Sequence, residues 1–172
     1  MASTGSAQAN ELERGTAHVR RAIPTDAAGL ARLRRLLYDY DASALTAVWD
    51  GEAEAAFTYH LACDADFVAF VVDLGQGQLA SSAVGTLARR LPGPNPGGQY
   101  YGYIGSVATD PMWRQRGYGR AVVTAVMGWL SDQGRASVHL DASPSGSKLY
   151  EQLGFEQISA PVLQWQPQAS EG

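Results

Sequence analysis

Apolar residues recur at helical spacing in two stretches of this chain of 172 residues. The first begins at a helix-start segment over 24–26, with Thr25 or Asp26 as the N-cap, and its leucines predict a helix with one buried face that ends near residue 40. The second covers residues 118–133, where valines and leucines form two adjacent rows. Both patterns predict helices that pack one face against other elements.

Strand patterns occupy much of the remaining chain. Runs rich in β-branched and aromatic residues are bounded by glycine or proline, which is typical of strands. The predicted strands cover 18–23, 67–75, 79–91, 100–109 and 137–143, with one or two more in 157–167, and two further helices cover about 44–63 and 145–155. This order predicts a mixed α/β sheet domain without internal repeats.

Composition limits the class of protein. The chain is 45% hydrophobic and 17% charged, and it contains no apolar run of membrane-spanning length. No signal peptide precedes the first strand, so we expect a cytoplasmic protein that does not associate with membranes. We predict a disordered arm over 1–16, one domain over 17–167 and a tail over 168–172. Cys63 is the only cysteine, which excludes a cysteine-based metal site, and we interpret it as a core residue.

The charge distribution singles out one segment. The net charge of −4 and the pI of about 5.3 argue against a surface for nucleic acid. Nevertheless, cations gather around two glycines in WRQRGYGRAVV, residues 113–123. A strand that leads through a glycine-containing loop into a helix binds anions, because the first N–H groups of the helix have no partner within it. We therefore predict a local anion site.

Two nucleotide-binding motifs do not fit this loop. The dinucleotide fingerprint requires a third glycine at position 122, which is Val122. The P-loop requires a lysine and a hydroxyl residue after its second glycine, where this chain has Arg120 and Ala121. A different anionic ligand is expected.

The segment from Arg114 to Gly119 instead resembles the acyl-CoA-binding pattern of the GNAT superfamily of N-acetyltransferases. Val107 to Pro111 is similar to the strand end that precedes this pattern, and Leu149 to Phe155 resembles the family's L-Y-x-x-x-G-F segment. The order of elements from Val19 to the C-terminal region also matches. The resemblance implies a mostly antiparallel mixed sheet of about six to seven strands with splayed central strands, flanked by about four helices.

The resemblance also implies functional roles. Acetyl-CoA would be the acyl donor, an amine would be the acceptor, and no metal would be required. Tyr150 would be the general acid that protonates the departing thiolate; the residue type alone is more typical of a packed aromatic, and its place in the Leu149 to Phe155 segment favours the catalytic role. The expected cofactor-binding residues are Val107, Ala108, Thr109, Arg114, Gln115, Arg116, Gly117, Tyr118, Gly119, Arg120 and Ser143. A backbone N–H near Val107 would stabilise the oxyanion.

The chain departs from common family patterns where many members carry a catalytic carboxylate. Gly105 and Ser106 stand at that place. Asp141 and His139 share a strand face, and either is a candidate base through water, but a solvated strand face or a satisfied histidine is the more common explanation of such residues. Ser143 replaces a common asparagine. The region where the family's acceptor site usually forms contains Tyr38, Tyr40, Asp41, Trp49 and Asp50, which suit a cationic amine but are more typical of an acidic solvated surface.

Three hypotheses follow. The first is an acetyl-CoA-dependent N-acetyltransferase acting on a small-molecule, peptide or protein amine. The second is a non-catalytic domain that binds or senses acyl-CoA, which the absence of a carboxylate at Gly105 and Ser106 favours. The third is a transferase with another acyl-CoA donor. The sequence does not decide between a monomer and a homodimer.

Overall fold

The computed structural model describes residues 17–38, 44–89, 91, 100–134, 137–159, 163 and 165–166, with only the backbone described for 44–47. Its strands are β1 (His18–Arg21), β2 (Phe67–Asp73), β3 (Leu79–Arg89), β4 (Tyr100–Thr109) and β5 (Val138–Leu140). Its α-helices are α1 (Ala27–Arg35), α2 (Ala44–Cys63), α3 (Tyr118–Asp132) and α4 (Ser147–Glu151). The described residues form two compact units, one ending at Asp141 and one beginning at Ala142. The predicted domain limits at 17 and 167 stay predictions.

The first unit contains a single mixed sheet in the order β1-β2-β3-β4-β5. The first four strands are antiparallel, and a short turn over 74–78 connects β2 to β3. Strand β5 lies parallel to β4, as expected for a strand reached through the crossover helix α3. The predicted mixed, mostly antiparallel sheet is confirmed.

Apolar residues cover both faces of this sheet. The core that includes residues of α1, α2 and one sheet face contains, among others, Leu30, Leu33, Phe57, Phe67, Val71 and Val84. Helix α3 buries the rows predicted from its sequence, and Val122, Val126 and Leu130 are fully buried. Gly85 permits this packing, because a Cβ there would lie 2.6 Å from Cγ1 of Val126.

Several sequence predictions need correction. The described part of 157–167 contains no strand, so the sheet has five strands in the described residues rather than six or seven. Cys63 is exposed rather than part of the core, because the last turn of α2 points its thiol to the surface, where Sγ donates to the carbonyl of Tyr59. The arm over 1–16 and the tail over 168–172 lie outside the described residues.

Asp26 is the N-cap residue of α1, as predicted, but its side chain does not cap the helix. A 3₁₀ turn over Pro24–Asp26 precedes α1, and the Asp26 side chain makes no hydrogen bond to the first turn of α1. Its carboxylate instead accepts hydrogen bonds from two nitrogens of Arg20 at 2.7 and 2.8 Å and from the N–H of Ile23 at 2.8 Å. Asp26 therefore joins β1 to the start of α1.

The second unit is short. Helix α4 ends at Glu151, and Gly154 adopts a φ of +89° in the turn that follows, as expected for a glycine after a helix. The N–H of Phe155 donates to the carbonyl of Tyr150 at 3.0 Å. The ring of Phe155 lies 6.0 Å from that of Tyr150, edge to face.

Candidate active site

Strand β4 changes partners and conformation halfway along its length. Its pairing with β5 runs from Gly102 to Ile104 and then stops, so residues 105–109 have no β5 partner in the described chain. On the other side the register to β3 shifts, and Ser106 and Val107 stand opposite the single residue Ala83. This is a β-bulge, which re-aims side chains and is common beside active sites. The predicted parting of the central strands is present.

Ser106 carries the strain of this bulge. Its φ of 48° lies in the left-handed region, which non-glycine residues seldom adopt. Nη1 of Arg34, from α1, donates to the Ser106 hydroxyl. Strained residues of this kind cluster at ligand-binding positions. The bulge therefore marks the open end of the β4–β5 gap as a candidate site.

The three cofactor candidates on β4 follow the bulge. The Ser81 hydroxyl donates to the carbonyl of Ala108 at 2.9 Å and lies 2.8 Å from the hydroxyl of Thr109. Both residues also pair with β3, whereas Val107 belongs to the bulge. The side of this segment that would face β5 is the side left without a strand partner. A ligand with amide groups could add to it as a strand does.

The loop after β4 directs helix α3 toward the same end of the strand. The Asp110 carboxylate accepts from the N–H of Met112 at 3.1 Å and closes a 3₁₀ turn over Pro111–Trp113. Gln115 and Gly117 then adopt φ values of 64° and 79°. Gly117 is the N-cap of α3 and makes no side-chain cap. A Cβ at Gly117 would meet nothing within 4 Å, so its left-handed conformation, rather than local crowding, favours glycine.

Three arginines lie in this loop or in the first turn of α3, namely Arg114, Arg116 and Arg120. The Arg114 Nε donates to the carbonyl of Thr109 at 3.3 Å, and the guanidinium of Arg116 lies 4.9 Å from the centre of the Trp113 ring. Arg120 is exposed in the first turn of α3. The nearby carboxylate of Asp110 accepts from Arg32 at 2.7 Å, and this bond holds the pKa of Asp110 below its usual range. Local charge and the helix dipole both favour an anion here.

The two base candidates have different surroundings. The Asp141 carboxylate accepts from the Tyr103 hydroxyl at 2.8 Å. Burial and this hydrogen bond raise the pKa of Tyr103 to about 12, so the phenol stays protonated at neutral pH. His139 has Nε2 2.7 Å from the Ser137 hydroxyl, and its ring lies 4.4 Å from that of Tyr101. Asp141 and His139 share one sheet face, as the sequence predicts.

A cavity of about 200 Å³ opens beside the bulge in the same unit; we call it the Arg34 cavity. Its lining residues are Arg34, Ala53, Ala56, Phe57, His60, Phe67, Val84 and Ser106. His60 is held by Asp64, whose Oδ2 lies 2.8 Å from its Nδ1. Neither Arg34 nor His60 was predicted as a site residue, because neither belongs to a recognisable motif in its helix.

The aromatic and acidic residues expected near the acceptor are partly described. The Tyr38 ring lies 5.5 Å from that of Trp49 and 5.4 Å from the guanidinium of Arg34. Asp50 accepts from Arg35 rather than facing an open site. Tyr40 and Asp41 lie outside the described residues.

The general-acid candidate belongs to the second unit. Tyr150 is buried, and burial raises the pKa of its phenol, so it carries its proton well above neutral pH. A Cβ at Gly146 would lie 3.3 Å from the Tyr150 ring. The hydroxyl of Ser143 lies 3.2 Å from that of Ser145. The roles of Tyr150 and Ser143 stay predictions.

No described helix is long and apolar enough to cross a membrane. Within the same residues, no group of three or more histidine, cysteine, aspartate or glutamate side chains could hold a metal ion.

The bulged strand β4, followed by a loop with a left-handed glycine at the start of α3, forms one continuous candidate site for an anionic ligand. The family model for the acetyltransferase (GNAT) family matches residues 32–155. The chain therefore belongs to the GNAT acetyltransferase family, and it is an acyltransferase that transfers acetyl groups.

Solved structures share this fold. A GCN5-related N-acetyltransferase from Ralstonia eutropha JMP134 is 22% identical, with a TM-score of 0.72 over 86% of this chain and 97% of its own. An acetyltransferase from Clostridium acetobutylicum with acetyl-CoA is 20% identical, with a TM-score of 0.72 over 86% and 94%. Glucosamine-6-phosphate N-acetyltransferase from Arabidopsis thaliana is 22% identical, with a TM-score of 0.65 over 87% and 98%. No curated protein matches the chain by sequence.

Proposed function

We propose that the chain is an N-acetyltransferase that moves the acetyl group of acetyl-CoA to a primary amine by direct attack. The observation that carries this proposal is the end of the β4–β5 pairing after Ile104, on the strand that leads into the loop over 110–117, which we call the Gly117 loop. The acetyl-CoA in the Clostridium structure and the amine substrate in the name of the Arabidopsis enzyme support it.

The donor would be held mainly by backbone groups. The amide and carbonyl groups of residues 107–109 would pair with the pantetheine arm on the side that β5 leaves open. The N–H groups of residues 115–120 would bind the diphosphate, with Arg114, Arg116 and Arg120 supplying opposite charge. Ser143 would contribute a hydroxyl to the pantetheine arm.

The reaction breaks one bond and forms another. The amine nitrogen attacks the thioester carbon, the C–N bond forms, and the oxyanion is stabilised by the N–H of Val107 or its neighbour. The C–S bond then breaks, and the thiolate takes a proton from the Tyr150 phenol, which solvent restores. Burial raises the pKa of this phenol, so Tyr150 still holds its proton at neutral pH when the thiolate forms.

The proton of the amine needs an acceptor as well. We assign it to Asp141 through water, because Tyr103 fixes this carboxylate on the edge where β4 and β5 part. His139 is less suited, because its Nε2 is already engaged with Ser137. Asp141→Asn should therefore lower kcat/KM most at low pH, where little of the amine is already neutral.

Tyr150→Phe tests the general acid. We expect kcat for thiol release from acetyl-CoA to fall about 100-fold, with the affinity for acetyl-CoA unchanged. Tyr59→Phe is the control, since Tyr59 is exposed on α2. Unchanged turnover would remove Tyr150 from the mechanism.

Binding of acetyl-CoA without transfer to any amine of a broad panel would instead support the non-catalytic domain, and preference for a longer acyl-CoA would support another donor.

A further inference from the structure

Arg34 differs from the other partly buried arginines of the first unit. Arg20 is paired with Asp26 and Asp73, and Arg32 is paired with Asp110. The next residue on α1, Arg35, is paired with Asp50. Arg34 has no carboxylate within ion-pair distance in the part of the chain that the structure describes, and it donates to the neutral hydroxyl of Ser106.

The surroundings of Arg34 make the lack of a described carboxylate partner energetically unfavourable. The guanidinium is half-buried, and most of the residues that line its cavity are apolar. A cation in such a place loses part of its hydration, and a neutral hydroxyl and the Tyr38 ring return only part of that energy. A carboxylate would form charge-assisted hydrogen bonds with the planar guanidinium, which matches its geometry.

The position of the cavity connects it with the reaction. Ser106 lines the cavity and also belongs to the bulge, next to Val107, where the acetyl thioester is expected. A molecule whose anionic group contacts Arg34 would therefore have its neighbouring atoms close to the thioester carbon. The cavity volume of about 200 Å³ is smaller than the pockets that hold drug-sized ligands, so only a small molecule or side chain fits.

We propose that the Arg34 cavity binds the acceptor, and that this acceptor is a small amine bearing a carboxylate and an apolar side chain. Arg34 binds the carboxylate, and the apolar side chain packs among Phe57, Phe67 and Val84. Arg34 is thus a specificity-determining residue. This inference rests on the proposed N-acetyl transfer.

Matched amines test the carboxylate preference in turnover. L-phenylalanine, L-leucine and L-tryptophan are compared with their amides and with the corresponding decarboxylated amines, using acetyl-CoA and thiol release. We expect kcat/KM to be about ten- to a hundredfold higher for each carboxylate, the range that one charge-assisted contact provides. Arg34→Gln should remove this preference without changing KM for acetyl-CoA. Arg35→Gln removes a charge from the same helix outside the cavity and should keep the preference.

A binding measurement separates failure of this inference from failure of the proposed function. N-acetyl-L-phenylalanine and its amide are titrated calorimetrically into the wild-type protein saturated with CoA, and into Arg34→Gln, whose folding is checked by its Tm. Tighter binding of the carboxylate, lost in Arg34→Gln, supports the cavity assignment even if no amine is acetylated. Equal binding of the two compounds, or equal binding by both proteins, would overturn it, whether or not acetyl transfer to another amine is observed.

Discussion

The Gly117 loop and the Arg34 cavity present different groups to a ligand. The loop offers backbone N–H groups at the start of α3, arranged by left-handed residues at Gln115 and Gly117. The cavity offers side chains from α1, α2, β2, β3 and β4. Backbone groups suit a donor whose diphosphate and amides are always the same. Side chains suit an acceptor, because substitution can change their chemistry without altering the fold.

Gly117→Val should give the largest effect and should act on the donor alone. Valine in a left-handed conformation is strained, so the loop would shift its N–H groups away from the diphosphate. We expect acetyl-CoA to bind about 100-fold more weakly by calorimetry, with binding of N-acetyl-L-phenylalanine unchanged. Gly128→Ala is the control, because Gly128 is an exposed position of α3 with free space around its Cα. An unchanged affinity for acetyl-CoA in Gly117→Val would contradict backbone recognition.

Asp26→Asn should lower the free energy of unfolding without changing ligand binding at the Gly117 loop or in the Arg34 cavity. Arg20 holds the pKa of Asp26 below its ordinary value of 3.8, so the stabilisation is fully present above that pH and is lost as the pH falls through the lower folded-state pKa. We expect denaturant unfolding near pH 7 to show a loss of about 2 kcal/mol, since the substitution removes the nearly buried carboxylate and its charge-assisted hydrogen bonds to Arg20. Asp64→Asn, at the more exposed pair with His60, should cost less than about 1 kcal/mol. Equal losses in the two variants would argue against the special role of Asp26.

Ala56→Leu should reduce acceptor binding while sparing the donor. The added side chain occupies part of the Arg34 cavity, which Ala56 lines. We expect KM for an amino acid substrate to rise about tenfold, with KM for acetyl-CoA unchanged. Ala55→Leu places the same side chain at the adjacent, exposed position outside the cavity and should change neither value. A matching rise in both variants would show that the cavity is not the acceptor site.

The smallest expected effect is the raised pKa of Tyr103, which a titration of its phenol measures. A free tyrosine is about half ionised at pH 10, whereas burial and Asp141 raise the pKa of Tyr103 to about 12. Carbon NMR of isotope-labelled tyrosine rings at pH 10 should show a protonated ring signal that disappears in Tyr103→Phe. Asp141→Asn should lower this pKa, because the negative charge is removed and the amide oxygen is a weaker acceptor for the phenol proton. A Tyr103 that is largely ionised at pH 10 would contradict the described contact.

The two regions also differ in how far the sequence predicts them. The loop is continuous, so Arg114 to Gly119 could be interpreted as one motif, and α2 and β4 have the predicted bounds because clear turn or loop signals flank them. The cavity is formed by residues such as Arg34, His60 and Ser106, whose proximity depends on helix packing and on a bulge. No local pattern reports those contacts. The same reason explains Asp26, which has the residue type of a cap but binds Arg20 instead.

Amide hydrogen exchange with and without acetyl-CoA tests the central claim most directly, because it reports on individual backbone N–H groups. Acetyl-CoA should slow exchange of the N–H groups at 107–109 and 115–120 while leaving those of β1 and β2 unchanged. Unaltered exchange in both segments at a saturating concentration of acetyl-CoA would contradict the proposal that this backbone holds the donor.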